Sequence, residues 1–220
     1  MNFRIGALTI SQSPRHDLLE PLRVMFPEHD IIEAGALDEM DRQVLPDGTY
    51  ASYPLTTTLI NGERVTLDRD FLAPLVQDAL TRLEAQNINI AVLLCAGDFP
   101  DLRGNISVIQ PTYMAQNILH GMGIKRLAVI SPIAIQIPPI ERKWTQAEFE
   151  PLVWMMPPNR TLEQQSIWIN SQLETHSEVA CVVLDYVGYP TKSILSLQKL
   201  VDKPIFDLGY LALSTVSTLI

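Results

Sequence analysis

Short runs of apolar, often β-branched residues alternate with amphipathic stretches along most of the chain. The runs are apolar at nearly every position, as in strands buried on both faces of a parallel sheet, and the stretches between them have helical spacing. The pattern therefore predicts an α/β fold with parallel sheets flanked by helices. The predicted strands are 4–10, 30–34, 88–95, 126–131, 179–186 and 204–208. The predicted helices are 15–25, 70–86, 113–121, 162–176, 191–201 and 209–219.

The pattern changes between residues 50 and 67. Two short runs, 55–60 and 63–67, are separated by Asn61 and Gly62, which both tolerate positive φ. This arrangement predicts a β-hairpin inserted into the α/β frame. In the helix that follows, Phe71, Leu75, Ala79, Leu80 and Leu83 are expected on the buried face, with Asp70 capping the amino end.

An internal comparison predicts two lobes. Residues 92–97 and 183–188 both consist of an apolar strand, a variable residue and a glycine, and 4–9 resembles 126–131. A duplicated α/β lobe explains both similarities. We expect a first lobe of residues 1–112 plus about 204–220, a second lobe of residues 113–203, and a cleft lined by corresponding strand ends.

Composition narrows the function classes. The chain has 220 residues, 47% of them hydrophobic, and a formal net charge of −9. That balance excludes a basic nucleic-acid surface and means that an anionic ligand needs a local cation. The longest apolar stretch, 127–140, is broken by polar residues and prolines, so we expect no membrane segment. Two cysteines are too few for a disulfide scaffold, and a cytoplasmic protein is predicted.

Cys95 is the first candidate for chemistry. Ligands of open α/β sheets bind outside the carboxyl ends of the strands, and Cys95 closes a predicted strand there. Ala96 and Gly97 follow and permit a sharp turn that brings backbone amides near the sulfur, which would favour the thiolate. The alternative is a buried, inert thiol. Cys181 opens its strand at the opposite end and is expected to be inert.

The loop after the first predicted strand is a candidate carboxylate cradle. Ser11, Gln12 and Ser13 supply hydrogen-bond donors, and Arg15 can pair with a carboxylate. The simpler alternative is a helix cap, with Ser13 as N-cap and Pro14 in the first turn; both can hold. In the second half, Ser131 and Gln136 occupy the corresponding strand end, where the alternative is a loop stiffened by prolines.

Other constellations are weak. The chain has no P-loop, and Gly121 and Gly123 precede a strand, whereas a dinucleotide fingerprint follows one. The four histidines are scattered, and Asp38 and Glu39 are most simply a solvated face. We therefore predict no metal and no cofactor.

Several segments resemble the AroM family, and they span almost the whole chain in order. They are GALTI at 6–10, QSPR at 12–15, EAGALD at 33–38, LCAGDFP at 94–100, SP at 131–132, Gln136, KW at 143–144, LD at 184–185 and GY at 188–189. AroM proteins are similar in turn to the aspartate/glutamate/hydantoin racemase superfamily. This resemblance implies two pseudo-symmetric α/β lobes, a cysteine from each lobe facing an active-site cleft, and a homodimer.

Racemisation beside a carboxylate needs an acid–base group on each face of the carbon. The resemblance places the second thiol at position 186, where this chain has Tyr186, and a phenol is a poor base at neutral pH. Cys181 cannot substitute, because five strand residues separate it from that position by about 16 Å.

The surviving prediction is one-thiol chemistry: a cofactor-independent isomerase, racemase-like enzyme or decarboxylase acting on a small carboxylate. Cys95 and Tyr186 are its expected catalytic residues. The expected binding residues are Ser11, Gln12, Ser13, Arg15, Ala96, Gly97, Ser131, Gln136 and Gly188. The alternatives are a non-catalytic protein that binds or senses a small carboxylate, and a family member whose cleft has no detectable activity.

Overall fold

The computed structural model describes residues 3–220, which divide into two compact units. The first comprises the chain up to Pro111 together with Ala212–Ile220, and the second comprises Thr112–Leu211. Each unit contains one four-stranded parallel sheet with helices packed on it. The α/β class predicted from the apolar runs is confirmed.

The elements of the first unit follow the predicted order. They are β1 (Arg4–Thr9), α1 (His16–Met25), β2 (Asp30–Gly35), β3 (Pro54–Thr58), β4 (Arg64–Asp68), α2 (Arg69–Glu84), β5 (Ile90–Leu93) and β6 (Ser107–Ile109). The sheet order is β2-β1-β5-β6, with β1 and β5 in its centre. From Ile5 onward β1 is buried, and all four residues of β5 are buried. The sequence-based strand 88–95 is thus shortened at both ends, and Cys95 lies two residues beyond β5.

The buried face of helix α2 differs in part from the face predicted from helical spacing. Its buried residues are Leu72, Val76, Ala79, Leu80 and Leu83, so Phe71 and Leu75 lie at the margin of the buried face. The cap also differs from the prediction, because the helix begins one residue earlier. The Asp68 side chain accepts from the Asp70 N–H at 3.3 Å.

The predicted hairpin is confirmed as the antiparallel pair β3–β4. The pairing continues past the ladder, since the Leu59 N–H donates to the Glu63 carbonyl at 2.8 Å. Three residues therefore form the loop, and only Gly62 has positive φ, at 86°. This geometry is typical of a three-residue hairpin loop that ends on a left-handed glycine.

The second unit contains the remaining elements. They are α3 (Pro111–Gly121, beginning one residue before the unit boundary), β7 (Arg126–Ser131), α4 (Ile137–Gln146), β8 (Glu150–Met155), α5 (Leu162–Thr175), β9 (Cys181–Leu184), α6 (Thr191–Leu200), β10 (Ile205–Asp207) and α7 (Leu208–Leu219). The sheet order is β10-β9-β7-β8. The bounds of β7 are those predicted.

Three elements were absent from the sequence-based prediction. Strands β6 and β8 lie at sheet edges and are only partly buried, so their hydrophobic pattern is weak. Helix α4 has prolines as its second and third residues, Pro138 and Pro139, which a first helical turn tolerates because its N–H groups have no intrahelical partner.

The chain returns to the first unit later than predicted. Strand β10 pairs with β9 in the second sheet, so residues 204–211 do not join the first lobe. The passage occurs within α7, whose last turns belong to the first unit. Helical periodicity predicts α7 but not where the chain changes unit, because a helix that crosses from one unit to another has no distinct sequence pattern at the crossing. Within residues 3–220, no helix has the length and hydrophobicity of a membrane span.

Candidate functional site

The carboxyl edge of the first sheet brings two predicted site loops together. Strands β1 and β5 are parallel neighbours, and the Leu94 N–H donates to the Leu8 carbonyl at 2.8 Å. The loops that follow both strands therefore leave the sheet at the same edge, where ligands of such folds bind. One loop carries Ser11, Gln12, Ser13 and Arg15, and the other carries Cys95, Ala96 and Gly97.

Cys95 is buried beside a backbone donor. The residue is 8% exposed, and the Gly97 N–H donates to its Sγ at 3.2 Å. A hydrogen bond from an amide stabilises the thiolate more than the thiol. The turn is covered by the hairpin, because a Cβ added at Gly97 would lie 3.1 Å from Leu55 Cδ1.

The hairpin also uses polar groups of the predicted carboxylate cradle. Ser11 Oγ donates to the Thr58 carbonyl. Gln12 Oε1 accepts from the Ile60 N–H at 3.2 Å, while its Nε2 donates to the Met40 carbonyl at 3.1 Å. Sequence reasoning assigned these groups to a ligand, but hydrogen bonds to the hairpin and to the loop after β2 hold both side chains in place.

Arg15, the predicted cation of this loop, is engaged within the protein. Its Nε and Nη2 donate to the two carboxylate oxygens of Asp17 at 2.8 and 2.5 Å, and its Nη1 donates to Thr57 Oγ1 at 3.3 Å. The bidentate hydrogen bond from Arg15 lowers the pKa of Asp17. The Arg15 side chain is only 12% exposed, and its charge is compensated by the carboxylate of Asp17.

Ser13 is not the helix cap that the sequence suggested. Helix α1 begins at His16 without a side-chain cap. Instead the Ser13 N–H and Oγ donate to Asp38 Oδ1 at 2.6 and 2.9 Å, and Asp38 Oδ2 accepts from the Gly35 N–H at 2.7 Å. Asp38 thereby joins the loops after β1 and β2, whereas the sequence placed it on a solvated face. Its signal was an aspartate in the short loop after a strand, where Asp side chains commonly accept from nearby backbone N–H groups.

The second unit has its own set of polar groups at the carboxyl ends of β7 and β9. Ser131 ends β7, fully buried, and its Oγ donates to the Ile133 carbonyl at 2.9 Å and accepts from the Ile133 N–H at 3.3 Å. These bonds close the turn around Pro132, in keeping with the rigid-loop alternative. Gln136 lies half-buried at the start of α4.

A buried charged pair lies directly before Tyr186. Lys143 Nζ is 2.9 and 2.8 Å from the two carboxylate oxygens of Asp185, and Trp144 Nε1 donates to Asp185 Oδ2 at 2.7 Å. The Lys143 and Asp185 side chains are 2% and 3% exposed. Sequence reasoning used these residues only for the family resemblance. An acid at the end of an apolar strand, and a lysine within an apolar helix face, were the available signals.

Tyr186 is the exposed member of this end of the sheet. It is 38% exposed, and its ring lies edge-on to Tyr189 at a centroid distance of 5.5 Å. Gly188 has φ of 134°, and a Cβ added there would lie 2.9 Å from Tyr186 Oη. Glycine at 188 therefore permits both this backbone conformation and the position of the Tyr186 ring.

Cys181 lies at the opposite end of β9, paired in register with Leu127 near the start of β7. It is fully buried, and burial raises the pKa of its thiol to about 12. A thiol with that pKa has almost no nucleophilic thiolate at neutral pH. Within residues 3–220, no three His, Cys, Asp or Glu side chains are arranged to bind a metal ion.

Comparison with solved structures shows the same fold in several enzymes. The chain matches unliganded arylmalonate decarboxylase with 12% identity and a TM-score of 0.66, covering 99% of this chain and 92% of that one. It matches maleate isomerase Iso from Pseudomonas putida S16 with 12% identity and a TM-score of 0.61, covering 100% and 93%. It matches glutamate racemase from Aquifex pyrophilus with 16% identity and a TM-score of 0.55, covering 99% and 84%.

Sequence comparison is more specific about family. No curated protein matches the chain. The family model described as "AroM protein", however, matches residues 5–219, which include both strand-end regions described above. The chain belongs to the AroM family.

Proposed function

We propose that this protein is a cofactor-independent enzyme that acts at the α-carbon of a small carboxylate, with Cys95 as its thiol. The observation that carries the proposal is the Gly97 N–H directed at Cys95 Sγ, at the carboxyl edge of a parallel sheet. The similar folds of arylmalonate decarboxylase, maleate isomerase and glutamate racemase support this reaction class. The similarity to these three enzymes is one of fold. We therefore assign the substrate by chemical class only.

Two reactions fit one thiol. In an isomerisation, the Cys95 thiolate removes the α-proton and the resulting thiol returns a proton to another carbon of the enolate, which restores the thiolate. In a racemisation, Tyr186 protonates the enolate instead, and exchange with water removes the proton from Cys95 and returns one to the Tyr186 phenolate. In a decarboxylation, the C–C bond breaks with release of carbon dioxide, and the Cys95 thiol donates its proton to the carbanion. Water then returns a proton to the thiolate, so the enzyme is unchanged after each turnover.

The ligand carboxylate is assigned to the loops after β1 and β5. Thr9 ends β1 fully buried, and within the described chain its Oγ1 has no hydrogen-bond partner. This hydroxyl adds a donor to those predicted from sequence. Of these, Ser11, Gln12, Ser13 and Arg15 are bonded within the protein and are assigned to shaping the two loops. Ala96 and Gly97 are assigned to the turn that carries Cys95 beside the ligand. We assign the second acid–base role to Tyr186, with Ser131, Gln136 and Gly188 as supporting residues of the second unit.

The test measures proton exchange and bond breaking at the α-carbon of the ligand. Purified protein is incubated with a panel of small dicarboxylates and α-substituted acids in deuterated water, and deuterium incorporation and loss of the carboxylate are measured by NMR. We expect turnover that Cys95→Ala abolishes and that Cys181→Ala retains, since Cys181 lies at the far end of its strand. Turnover unchanged by Cys95→Ala would refute the proposal.

A non-catalytic carboxylate-binding protein is the second candidate. It is favoured by Tyr186, which occupies the position where the family resemblance implies a second thiol. Alkylation with iodoacetamide near neutral pH distinguishes the two. Fast modification of Cys95 that a carboxylate ligand blocks supports the enzyme, whereas slow modification together with ligand binding and no turnover supports the binding protein.

A further inference from the structure

Asp207 is a buried carboxyl group at the end of β10 that the proposed chemistry does not use. It pairs in register with Leu184 on β9, and therefore lies beside the segment that leads into Asp185 and Tyr186. The residue is 3% exposed. The same edge of the second sheet thus carries a carboxyl group that sequence reasoning did not single out.

Only one oxygen of this carboxyl group is accounted for. Asp207 Oδ1 accepts from the Tyr210 N–H at 2.7 Å, as expected for the residue before the first turn of α7. Oδ2 is also buried, and it has no hydrogen-bond partner among residues 3–220. A buried, half-satisfied carboxylate is costly, whereas the protonated acid is not charged.

The segment after β9 lies near this group. A Cβ added at Gly209 would lie 3.3 Å from both Asp207 Oδ1 and Val187 Cγ1, so the carboxyl group and Val187 both lie beside Gly209. Tyr189 is close enough for the Asp207 charge to raise its pKa, which burial and Asp207 together bring to about 12. The Tyr189 ring in turn contacts Tyr186.

Other charges on the surrounding elements are remote or already compensated. Asp185 is paired with Lys143. On α6, which packs against β10, the side chains of Lys192 and Lys199 are exposed. The titratable group that feels the Asp207 charge is Tyr189, whose ring lies against that of Tyr186. Among residues 3–220, no lysine, arginine or histidine forms an ion pair with the Asp207 carboxyl group that would hold it ionised.

We propose that Asp207 is a positioning residue that holds a proton near neutral pH and thereby sets the charge felt by Tyr189 and Tyr186. The inference rests on the proposed function in assigning Tyr186 a part in the reaction. With Asp207 protonated, no negative charge on this carboxyl group repels an anionic substrate, and the phenols donate their protons more readily, because the Asp207 charge that raises the pKa of Tyr189 is absent. With Asp207 ionised, an anion is disfavoured there.

The burial that supports this role also raises the pKa of Asp207 to about 7, against 3.8 for an ordinary aspartate. The two backbone amides at the start of α7 act in the opposite direction but do not offset burial. An acid with a pKa near the working pH changes its protonation most readily.

The experiment uses Asp207→Asn, which keeps an oxygen that can accept from the Tyr210 N–H but cannot titrate. Asp202→Asn, at an exposed carboxyl group of the same unit, is the matched control. Carboxyl groups labelled with carbon-13 are followed by NMR between about pH 5 and pH 9. We expect one aspartate to titrate near pH 7 in the wild type and in Asp202→Asn, and this titration to be absent from Asp207→Asn.

Two further readouts test the coupling. In Asp207→Asn one tyrosine should ionise at a lower pH than in the wild type, seen by ultraviolet absorbance, because the neighbouring negative charge is gone. With a substrate in hand, kcat/KM of the wild type should fall about tenfold per pH unit above the Asp207 pKa, and this limb should be missing in Asp207→Asn.

Each readout can overturn the proposal. An absent aspartate titration near pH 7 would show that Asp207 does not hold this proton, and an unchanged tyrosine titration in Asp207→Asn would show that its charge does not reach the phenols. An identical pH profile in wild type and Asp207→Asn would remove its role in turnover. Turnover that persists in Cys95→Ala would refute the proposed function but leave the two titration experiments decisive.

Discussion

Lys143 and Asp185 are oppositely charged residues that lie together in the interior of the second unit. Their charges are tolerated there because the two Lys143–Asp185 contacts and the Trp144 indole N–H satisfy the carboxylate. At the edge of the first sheet the polar residues are also used internally: Arg15 pairs with Asp17, and Ser13 with Asp38. At the residue scale, the role of a polar side chain here depends on its partner.

Removing one member of the buried pair should be far more damaging than removing an exposed one. We expect Lys143→Met to lower the free energy of unfolding by about 3–5 kcal/mol, because Asp185 is left as a buried and uncompensated carboxylate. Urea denaturation followed by circular dichroism measures the loss.

The matched control for that substitution is Arg126→Met, which removes an exposed pair with Glu150. We expect a much smaller loss than for Lys143→Met, since water already solvates both charges. Equal losses in the two variants would contradict the assignment of Lys143 to a buried pair that the fold depends on.

The hairpin β3–β4 is the element that departs most from a plain βαβ pattern. Its strands and loop supply the partners of Ser11, Gln12 and Arg15, and Leu55 covers the Cys95 turn. An insertion that is local in sequence therefore organises the loops at the carboxyl edge of the first sheet. The shape of its loop is thus relevant to the candidate site and to stability.

The hairpin loop should resist a side chain at Gly62. Apart from its chain neighbours, no atom of residues 3–220 lies within 4 Å of a Cβ added there, but φ is 86°. We therefore expect Gly62→Ala to lower the free energy of unfolding by about 1–2 kcal/mol through backbone strain alone. Thermal denaturation measures the change.

Gly121 provides the comparison at an equally open position. It ends α3, its added Cβ also meets nothing within 4 Å, and its φ is not positive. We expect Gly121→Ala to be neutral or stabilising by up to about 1 kcal/mol, because alanine favours the helix. Destabilisation of the same size in both variants would argue against strain at Gly62.

Helix α5 tests a local motif without reference to the site. Thr161 and Gln164 form a reciprocal capping box at its amino end. We expect Thr161→Ala to lower the free energy of unfolding by about 1 kcal/mol, because the Gln164 N–H loses its acceptor, Thr161 Oγ1. Thr175→Ala, at the other end of α5, should change it by less than about 0.5 kcal/mol; the reverse order in denaturation experiments would contradict the cap.

At the scale of the whole molecule, an acidic chain with a net charge of −9 folds into two units. The chain passes from the first unit to the second after Pro111 and returns to the first within α7. Asp207 lies immediately before α7 and caps its first turn. Because its pKa is raised to about 7 in the folded protein, the folded state binds one more proton than the unfolded state between about pH 4 and pH 7. Stability is thereby linked to pH.

The linkage gives the sign of the pH dependence. The contribution of Asp207 is fully present below the ordinary pKa of 3.8 and is lost as the pH rises through about 7. We therefore expect the free energy of unfolding of the wild type, relative to Asp207→Asn, to fall by up to about 4 kcal/mol between about pH 4 and pH 8. Urea denaturation across that range measures the difference, and a difference that stays constant with pH would contradict the raised pKa.

Local pattern was sufficient for much of the fold. Uninterrupted apolar runs predicted β1, β7 and β9, helical spacing predicted α2 and α5, and Asn-Gly between two apolar runs predicted the hairpin. The same pattern placed Cys95 at the carboxyl end of its strand, two residues from where β5 ends, and Cys181 at the amino end of β9, because a residue's position along a strand is a local property.

The sequence by itself therefore determined the α/β class, the family, most of the elements and the positions of the two thiols. Only the tertiary structure decided the partners of the polar residues: the hairpin for Ser11 and Gln12, and Asp185 for Lys143. It also decided the burial of Asp207. The physical reason is the separation along the sequence over which each interaction acts. Helical and strand periodicity arise between near neighbours, whereas a hydrogen bond or a desolvated charge depends on which distant segment the fold brings alongside it.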